Sequence, residues 1–257
     1  MSRITITKRE SRATLFSRLF RRSLVSADES VELDPRRRLV GGLFGCAKPL
    51  LWQGLSVEPH AGLGDYQGIF VAARSTGCHI SLPTWADSAL RESLSRQGIS
   101  HLCEPGLWHQ HPATARLSML GPSVHSYTDK DPGGQPHDVA TADDLTDFKI
   151  AVGEADWNEG GFANDILKVF VIRDISVAIV AAANLTEFLG HPADVGVVVH
   201  PDHRGQGLGA RVGRAAASYA VRECGIARWR ALTSNSPSRN VAATLGFEPY
   251  CQQLAVR

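Results

Sequence analysis

The densest chemistry in this chain lies in His200-Pro201-Asp202-His203-Arg204-Gly205-Gln206-Gly207-Leu208-Gly209-Ala210-Arg211, which follows the apolar β-type run Val195 to Val199 and opens a helical pattern. Glycines at 205, 207 and 209 lack Cβ atoms, so the backbone can turn tightly and bring its amides within hydrogen-bond distance of a ligand's oxygens. A helix starting there adds unpaired N–H groups and the positive end of its dipole. The chemistry this favours is the holding of an anion, above all a phosphate or diphosphate, with the Arg204 cation beside it.

Three phosphate-binding patterns compete for this stretch. A P-loop ends in Gly-Lys-Ser/Thr, whereas Gly209 is followed by Ala210 and Arg211, which offer neither lysine nor hydroxyl to a γ-phosphate and magnesium. A dinucleotide fingerprint is nearer, since Gly205, Gly207 and Ala210 satisfy G-x-G-x-x-A and Glu223 stands where a ribose acid would be sought. Its context disagrees. His200 to Arg204 separate the strand from the first glycine, and Glu223 still belongs to the helical pattern. The third pattern is Arg-x-x-Gly-x-Gly, carried by Arg204, Gly207 and Gly209.

With that loop the chain resembles the GCN5-related N-acetyltransferases (GNAT), which hold the pyrophosphate of acetyl-coenzyme A in such a turn. Asp194-Val195-Gly196-Val197-Val198-Val199-His200-Pro201 is similar to the family's fourth strand and the loop to its motif A. Asn235, Ser238 and Leu245-Gly246-Phe247 resemble its motif B, and the likeness spans residues 135–257. It implies an α/β fold with a mixed central sheet of the GNAT acyl-CoA acyltransferase type, acetyl-CoA as co-substrate, and no metal. It also implies Val197, Val198 and Val199 along the pantetheine arm, Arg204, Gly205, Gln206, Gly207, Leu208, Gly209 and Ala210 around the pyrophosphate, and Asn235 near the thioester.

Amide formation needs a base or water chain to deprotonate the attacking amine, donors for the oxyanion, and both substrates held in one cleft. The residues expected to do this match the family less closely. Many members place a thiolate-protonating tyrosine seven positions after the motif B asparagine, where this chain has Ala242. Others carry an acid on the preceding strand, at positions that here hold Arg230 or Thr233. The expected catalytic residues are therefore Asp194, at the start of the fourth strand, Glu154, in a cluster with Asp156 and Glu159 around Trp157, and Ser238, with Tyr250 or solvent as alternative thiolate donors. Structural alternatives exist: solvated helix-end charges for Glu154 and Asp156, a strand-flanking acid for Asp194, and loop filler for His200 and His203 beside the phosphate loop.

The expectation is an acetyl-CoA-dependent N-acetyltransferase acting on an amine through a ternary complex. A catalytically inactive CoA-binding or regulatory module, suggested by Ala242, and a dinucleotide-dependent oxidoreductase are the alternatives. The acceptor, a small molecule or a protein amine, stays open because such folds carry many specificities on variable loops. A homodimer is allowed for.

The elements that must position this chemistry follow from periodicity. Three segments are expected: a basic, flexible arm over 1–39, a smaller N-terminal α/β domain over 40–130, either a degenerate GNAT-like copy or a substrate-shaping unit, and the acetyltransferase domain over 135–257. In the N-terminal domain, Ile69–Ala73 and His79–Leu82 read as strands about Ser75-Thr76-Gly77, and Thr84 caps a helix from Trp85 to Gln97 with Leu90 and Leu94 inward. Ile99–Cys103 reads as a strand, Thr114–Leu120 as a helix ending at Gly121-Pro122, and Val124–Thr128 as extended. Asp129 to Pro136 is the linker. Beyond it, Thr141 caps a helix to about Asp156, with Asp144 in a box-like position and Leu145, Phe148 and Val152 buried. Leu167–Ile172 and Val177–Ala183 form a hairpin about Arg173-Asp174. A helix lined by Leu208, Val212, Ala216, Tyr219 and Ala220 ends at Gly225, before a strand over Arg228–Thr233.

Composition excludes several classes. A net charge of +1 across 257 residues gives no reason for nucleic-acid binding, and no apolar run approaches the ~18 residues that span a bilayer. Five cysteines without a C-x-x-C pair argue for reduced thiols, and His109-Gln110-His111 near His101 and Cys103 lacks the carboxylate or second pair that zinc requires. Before residue 27 the single acid Glu10 stands against Arg3, Lys8, Arg9, Arg12, Arg18, Arg21 and Arg22, which suits a solvated tail or an Arg/Ser-rich transit peptide. Arg36-Arg37-Arg38 marks a surface segment. The expected setting is cytoplasmic, with organelle targeting through the N-terminus as the alternative.

Overall fold

The structure is a computed structural model that describes residues 52–60, 66–134, 138–140, 143–188 and 191–257. The expected basic arm, Arg36 to Arg38, Cys46, the Thr141 cap and the linker residues Gln135 and Pro136 lie outside the described residues. In chain order the elements are β1 (Gly54–Pro59), β2 (Ile69–Arg74), β3 (Gly77–Leu82), α1 (Ser88–Ser95), α2 (Pro105–Gln110), β4 (Met119–Thr128), β5 (Asp138–Val139), α3 (Thr146–Val152), α4 (Glu154–Glu159), β6 (Ile166–Arg173), β7 (Ile179–Phe188), β8 (His191–Val199), α5 (Leu208–Cys224), β9 (Ala227–Leu232), α6 (Ser236–Thr244) and β10 (Glu248–Val256).

One mixed ten-stranded sheet runs in the order β1-β3-β2-β10-β4-β9-β8-β7-β6-β5. Strand β4, from before the expected linker, sits between β9 and β10, and β2 flanks β10 on its other side. The hydrogen-bonded sheet therefore crosses from one side of the expected domain boundary to the other. The β6–β7 hairpin closes on Asp174, whose Oδ1 accepts from Ser176 N at 2.8 Å, Ser176 Oγ at 2.7 Å and Ala178 N at 3.1 Å.

Helix α5 forms because its Ala-rich sequence carries little helix penalty and because Leu208, Val212, Ala216 and Ala220 recur at i, i+4 on a buried face. That face packs on Leu185, Val195 and Trp229. Gly213 lets the helix ride close to the sheet, since a Cβ there would stand 3.2 Å from the Trp229 ring and from Val197. Left-handed Gly207 and Gly225 bound it at the two ends. On the opposite face α3 and α4 cover Val169, Val171, Ala182 and Val198.

Several local expectations differ from the structure. Helix α1 starts at Ser88 because Asp87, not Thr84, caps it, accepting from Leu90 N at 2.8 Å. Ile99–His101 is a 3-10 turn rather than a strand, and Pro105 then opens α2, which buries Trp108. Residues 112–116 are turns, with Thr114 Oγ1 donating to Trp108 O at 2.6 Å, and Met119 already begins β4, so the expected helix does not form. Gly121-Pro122 lies inside β4. The helix expected up to Asp156 breaks at Gly153, whose φ of 82° is left-handed, into α3 and α4, and Asp144 lies in a 3-10 turn facing Arg173 Nη2 at 3.4 Å.

Candidate active site

Strands β8 and β9 run parallel, but they register only at Asp194 with Arg228 and Val195 with Trp229. Beyond that point they diverge. The other edge of β8 stays paired to β7, Val197 opposite Ala183 and Val199 opposite Ala181. Backbone groups of Val197 and Val199 facing β9 are thus left without a strand partner, which is how a sheet offers main-chain hydrogen bonds to an extended ligand. A cavity of about 930 Å³ opens in this wedge.

The loop at the end of β8 turns through Pro201–His203, passes the extended Arg204, and reaches α5 through Gly205 (φ 77°) and Gly207 (φ 73°). Both angles favour glycine, and a Cβ at either would meet nothing within 4 Å, so the turn faces open space. The first amides of α5 and its dipole point the same way. The cradle is vacant of side chains by construction.

Helix α4 forms the opposite lip. Its end is pressed onto β8, where a side chain at Gly196 would collide with the Gly160 carbonyl, and Asn184 Nδ2 donates to that carbonyl at 2.9 Å. From α4, Asp156 takes Nη2 of Arg204, and Glu159 Oε1 accepts from Asn235 Nδ2 at 2.6 Å. Asn235 also caps α6, its Oδ1 accepting from Ser238 N at 2.9 Å. Ser238 Oγ accepts from Trp229 Nε1 at 3.0 Å, which leaves its own proton free to be given away.

A family model, the acetyltransferase (GNAT) domain, matches residues 108–248. This chain belongs to the GNAT acetyltransferase family. Among solved structures it is similar to a GNAT-family acetyltransferase from Colwellia psychrerythraea (16% identity, 54% of this chain and 56% of that chain, TM-score 0.42). It is also similar to a tandem GNAT protein from the clavulanic acid biosynthesis pathway (22%, 55% and 54%, TM-score 0.39) and a GCN5-related N-acetyltransferase from Kribbella flavida (21%, 55% and 59%, TM-score 0.38). The chain spans less than two thirds of the length of each of these. No curated protein matches it.

Of the residues expected in a GNAT cofactor site, Val197, Val198, Val199, Arg204, Gly205, Gly207, Leu208, Gly209, Ala210 and Asn235 line the cavity, and Ser238 joins them. Gln206 is exposed and does not line it. Two expected catalytic acids are displaced. Glu154 is exposed on the first turn of α4, and its neighbours Asp156 and Glu159 face the cleft instead because they lie further round the helix. Asp194 is buried, both its oxygens taken by Arg228. Burial works to raise its pKa, but the charge and hydrogen bonds of Arg228, helped by Arg230, hold it below the usual aspartate value, so it is a fixed anion rather than a base.

Tyr250 is likewise no thiolate donor for this GNAT cleft. Its hydroxyl accepts from Trp52 Nε1 at 3.0 Å, Arg74 stacks on its ring at 4.6 Å, and it lines a separate cavity of about 460 Å³. Ala242 is buried in the core against α5. His203 lines the cleft, whereas His200 accepts from Asp202 N and packs edge-on to His203 at 5.4 Å. Sequence reasoning missed the rest of the cavity lining, including Tyr66, Phe70, Leu120, Ser123, Gln253 and Arg257. It also passed over His125, fully buried with neither ring nitrogen partnered. Among the described residues no three His, Cys, Asp or Glu side chains gather as a metal ion would need, and no helix is long and apolar enough to cross a membrane.

Proposed function

We propose that this GNAT domain is an acetyl-CoA-dependent N-acetyltransferase that passes the acetyl group to an amine within a ternary complex. The observation that carries the reading is the wedge between β8 and β9, continuous with the open glycine turn that starts α5. The main chain of Val197 and Val199 would hold the pantetheine arm, and Gly205 to Ala210 with Arg204 the diphosphate. When bound, acetyl-CoA supplies an activated acyl carbon and a thiolate leaving group.

The chain's own residues supply the rest. Glu159 is the carboxylate positioned to accept the amine's proton: Asn235 holds one oxygen, leaving the other for water or the amine. Ser238, its oxygen already accepting from Trp229, would donate a hydrogen bond to the departing thiolate, and the proton lost by the amine nitrogen would reach the sulfur through water, leaving the serine unchanged. Enclosing both reactants in one cavity contributes proximity without a covalent enzyme intermediate.

Incubation with acetyl-CoA and a panel of amines, followed by thiol detection, tests this. Amine-dependent thiol release is expected, and Glu159→Gln should lower it at least tenfold while leaving CoA binding intact. The second reading, a CoA-binding module without turnover, is favoured by buried Ala242, which leaves no phenol where many members place one. Stabilisation by CoA with no thiol release from any amine would establish that reading instead.

A further inference from the structure

We infer that the acceptor is an amino carboxylate with an apolar side chain, its carboxylate held by Arg230. This rests on the acetyltransferase reading of the cleft and names the substrate class that reading leaves open.

The floor of the cavity beyond α4 is one face of four neighbouring strands, β9, β4, β10 and β2. Register places Leu232 opposite Ser123, Ser123 opposite Gln253, Leu120 opposite Ala255, and Ala255 opposite Phe70. The surface is apolar with a few neutral hydrogen-bonding groups. Tyr66 stacks on Phe70 at 4.7 Å and 9°, closing the far wall. Such a floor suits a hydrocarbon or aromatic side chain.

At the near end stands Arg230, the first β9 residue past the last register pair with β8, beside the point where the strands part. It is exposed to the cavity and has no carboxylate partner among the described residues. Of the nearby acids, Asp194 is paired with Arg228 and Asp156 with Arg204, while Glu159, on the α4 lip, receives a hydrogen bond from Asn235 on one oxygen and makes no ion pair with Arg230. The group beneath Arg230 is neutral as well. His125, its register partner on β4, is fully buried, and burial together with Arg228 and Arg230 favours its uncharged form against the opposing pull of Asp194. A guanidinium in a half-enclosed cleft that shares the field of Asp194 but makes no direct ion pair among the described residues has its donors open to an external anion, and its planar fork matches a carboxylate.

Geometry then selects the class. The carbonyl carbon to be attacked would lie where β8 and β9 part, so an amine one or two bonds from a carboxylate on Arg230 reaches it, and the side chain runs over Leu232 and Leu120 toward Phe70. Of the other arginines lining the cavity, Arg204 is paired with Asp156, and Arg257, just past the end of β10, lies six residues from Cys251, the residue in the same register row as Arg230 and His125. At ~3.3 Å per residue that is on the order of 20 Å, too far to share one carboxylate.

The test uses the full chain with CoA bound and phenylalanine chemistry as the probe. Calorimetry should show N-acetylphenylalanine binding at least tenfold tighter than N-acetylphenethylamine, which lacks only the carboxylate. Arg230→Gln should abolish that preference without changing CoA affinity, and Arg230→Lys should restore part of it. In turnover, phenylalanine should be a better acceptor than phenethylamine, with Arg230→Gln raising KM more than it lowers kcat. Equal binding of the two products, tighter binding of N-acetylphosphoethanolamine, or a preference that survives Arg230→Gln overturns the inference. Thiol release from phenethylamine equal to that from phenylalanine overturns it while the acetyltransferase reading stands. Carboxylate-selective binding with no thiol release from any amine overturns the acetyltransferase reading alone.

Discussion

Asp194 and Arg228 face each other in register across the only stretch where β8 and β9 remain adjacent, and their side chains close a two-point ion pair, Nε to Oδ1 at 2.8 Å and Nη2 to Oδ2 at 2.6 Å. The pair sits at the base of the wedge. Both groups are buried, and the Arg228 guanidinium also stacks on Phe188 at 4.0 Å. It acts as the rivet from which the strands spread.

Removing one partner leaves the other as a buried, uncompensated charge, so Arg228→Ala should cost about 3–5 kcal/mol of stability. Denaturant melts at neutral pH measure this. The depressed pKa of Asp194 adds a pH signature: its contribution is complete above the ordinary aspartate value and falls away as pH drops below that value toward its lower folded one. An Arg228→Ala variant that melts like the parent would remove the rivet from this account.

Gly207 holds φ 73° at the start of α5, in open space. Gly207→Val meets no clash, but a β-branched residue in the left-handed region costs about 1–2 kcal/mol or moves the turn. CoA affinity should fall about tenfold or more, with the melting temperature reduced only modestly. Titration calorimetry with CoA reads the difference, and unchanged affinity would mean that this turn is not the cradle.

In the proposed diphosphate site Arg204 would exchange its ion pair with Asp156 for the ligand. The pair is partly exposed and worth about 0.2–1 kcal/mol, so Asp156→Asn should tighten CoA binding by up to about fivefold. Arg204→Ala should weaken it, since a charge-assisted hydrogen bond contributes about 1.5–3 kcal/mol. Opposite signs from the two variants are the expected calorimetric result.

His125 is neutral when folded, because burial, Arg228 and Arg230 lower its pKa well below 6.5. The unfolded chain takes up a proton near 6.5 that the folded chain refuses, so stability declines as pH falls below that value. Buried His79 and partly buried His60, both also shifted down by burial, contribute in the same direction. Comparing denaturant midpoints at pH 7.5 and 5.5, His125→Phe should lose less stability than the parent. An equal loss would assign the acid limb to the other histidines.

Strand β8, its glycine loop, helix α5 and the Asn235 cap could all be read from the chain. Each depends on residues within a few positions of one another: alternation for a strand, missing Cβ atoms for a turn, i, i+4 recurrence for a helix, a side-chain oxygen for a cap. Ile99–Cys103 and Thr114–Leu120 depart from the expected strand and helix because short apolar runs fit either, and the packing around Trp108, in a core built largely by β2, β3 and α1, sets their shape. Asp194, Glu154 and Tyr250 have suitable functional groups, yet burial, helix face and partners direct them elsewhere.

The linear order of residues therefore determined the glycine turn at the start of α5 and the family, because both rest on local sequence and backbone conformation. Tertiary structure decided which carboxylates face the cleft and which strands make its floor. The rows Arg230–His125–Cys251 and Leu120–Ala255–Phe70 join strands far apart in the chain. Such rows exist only once sheet register is set, and register comes from the summed burial of whole strand faces, which no spacing along the chain encodes.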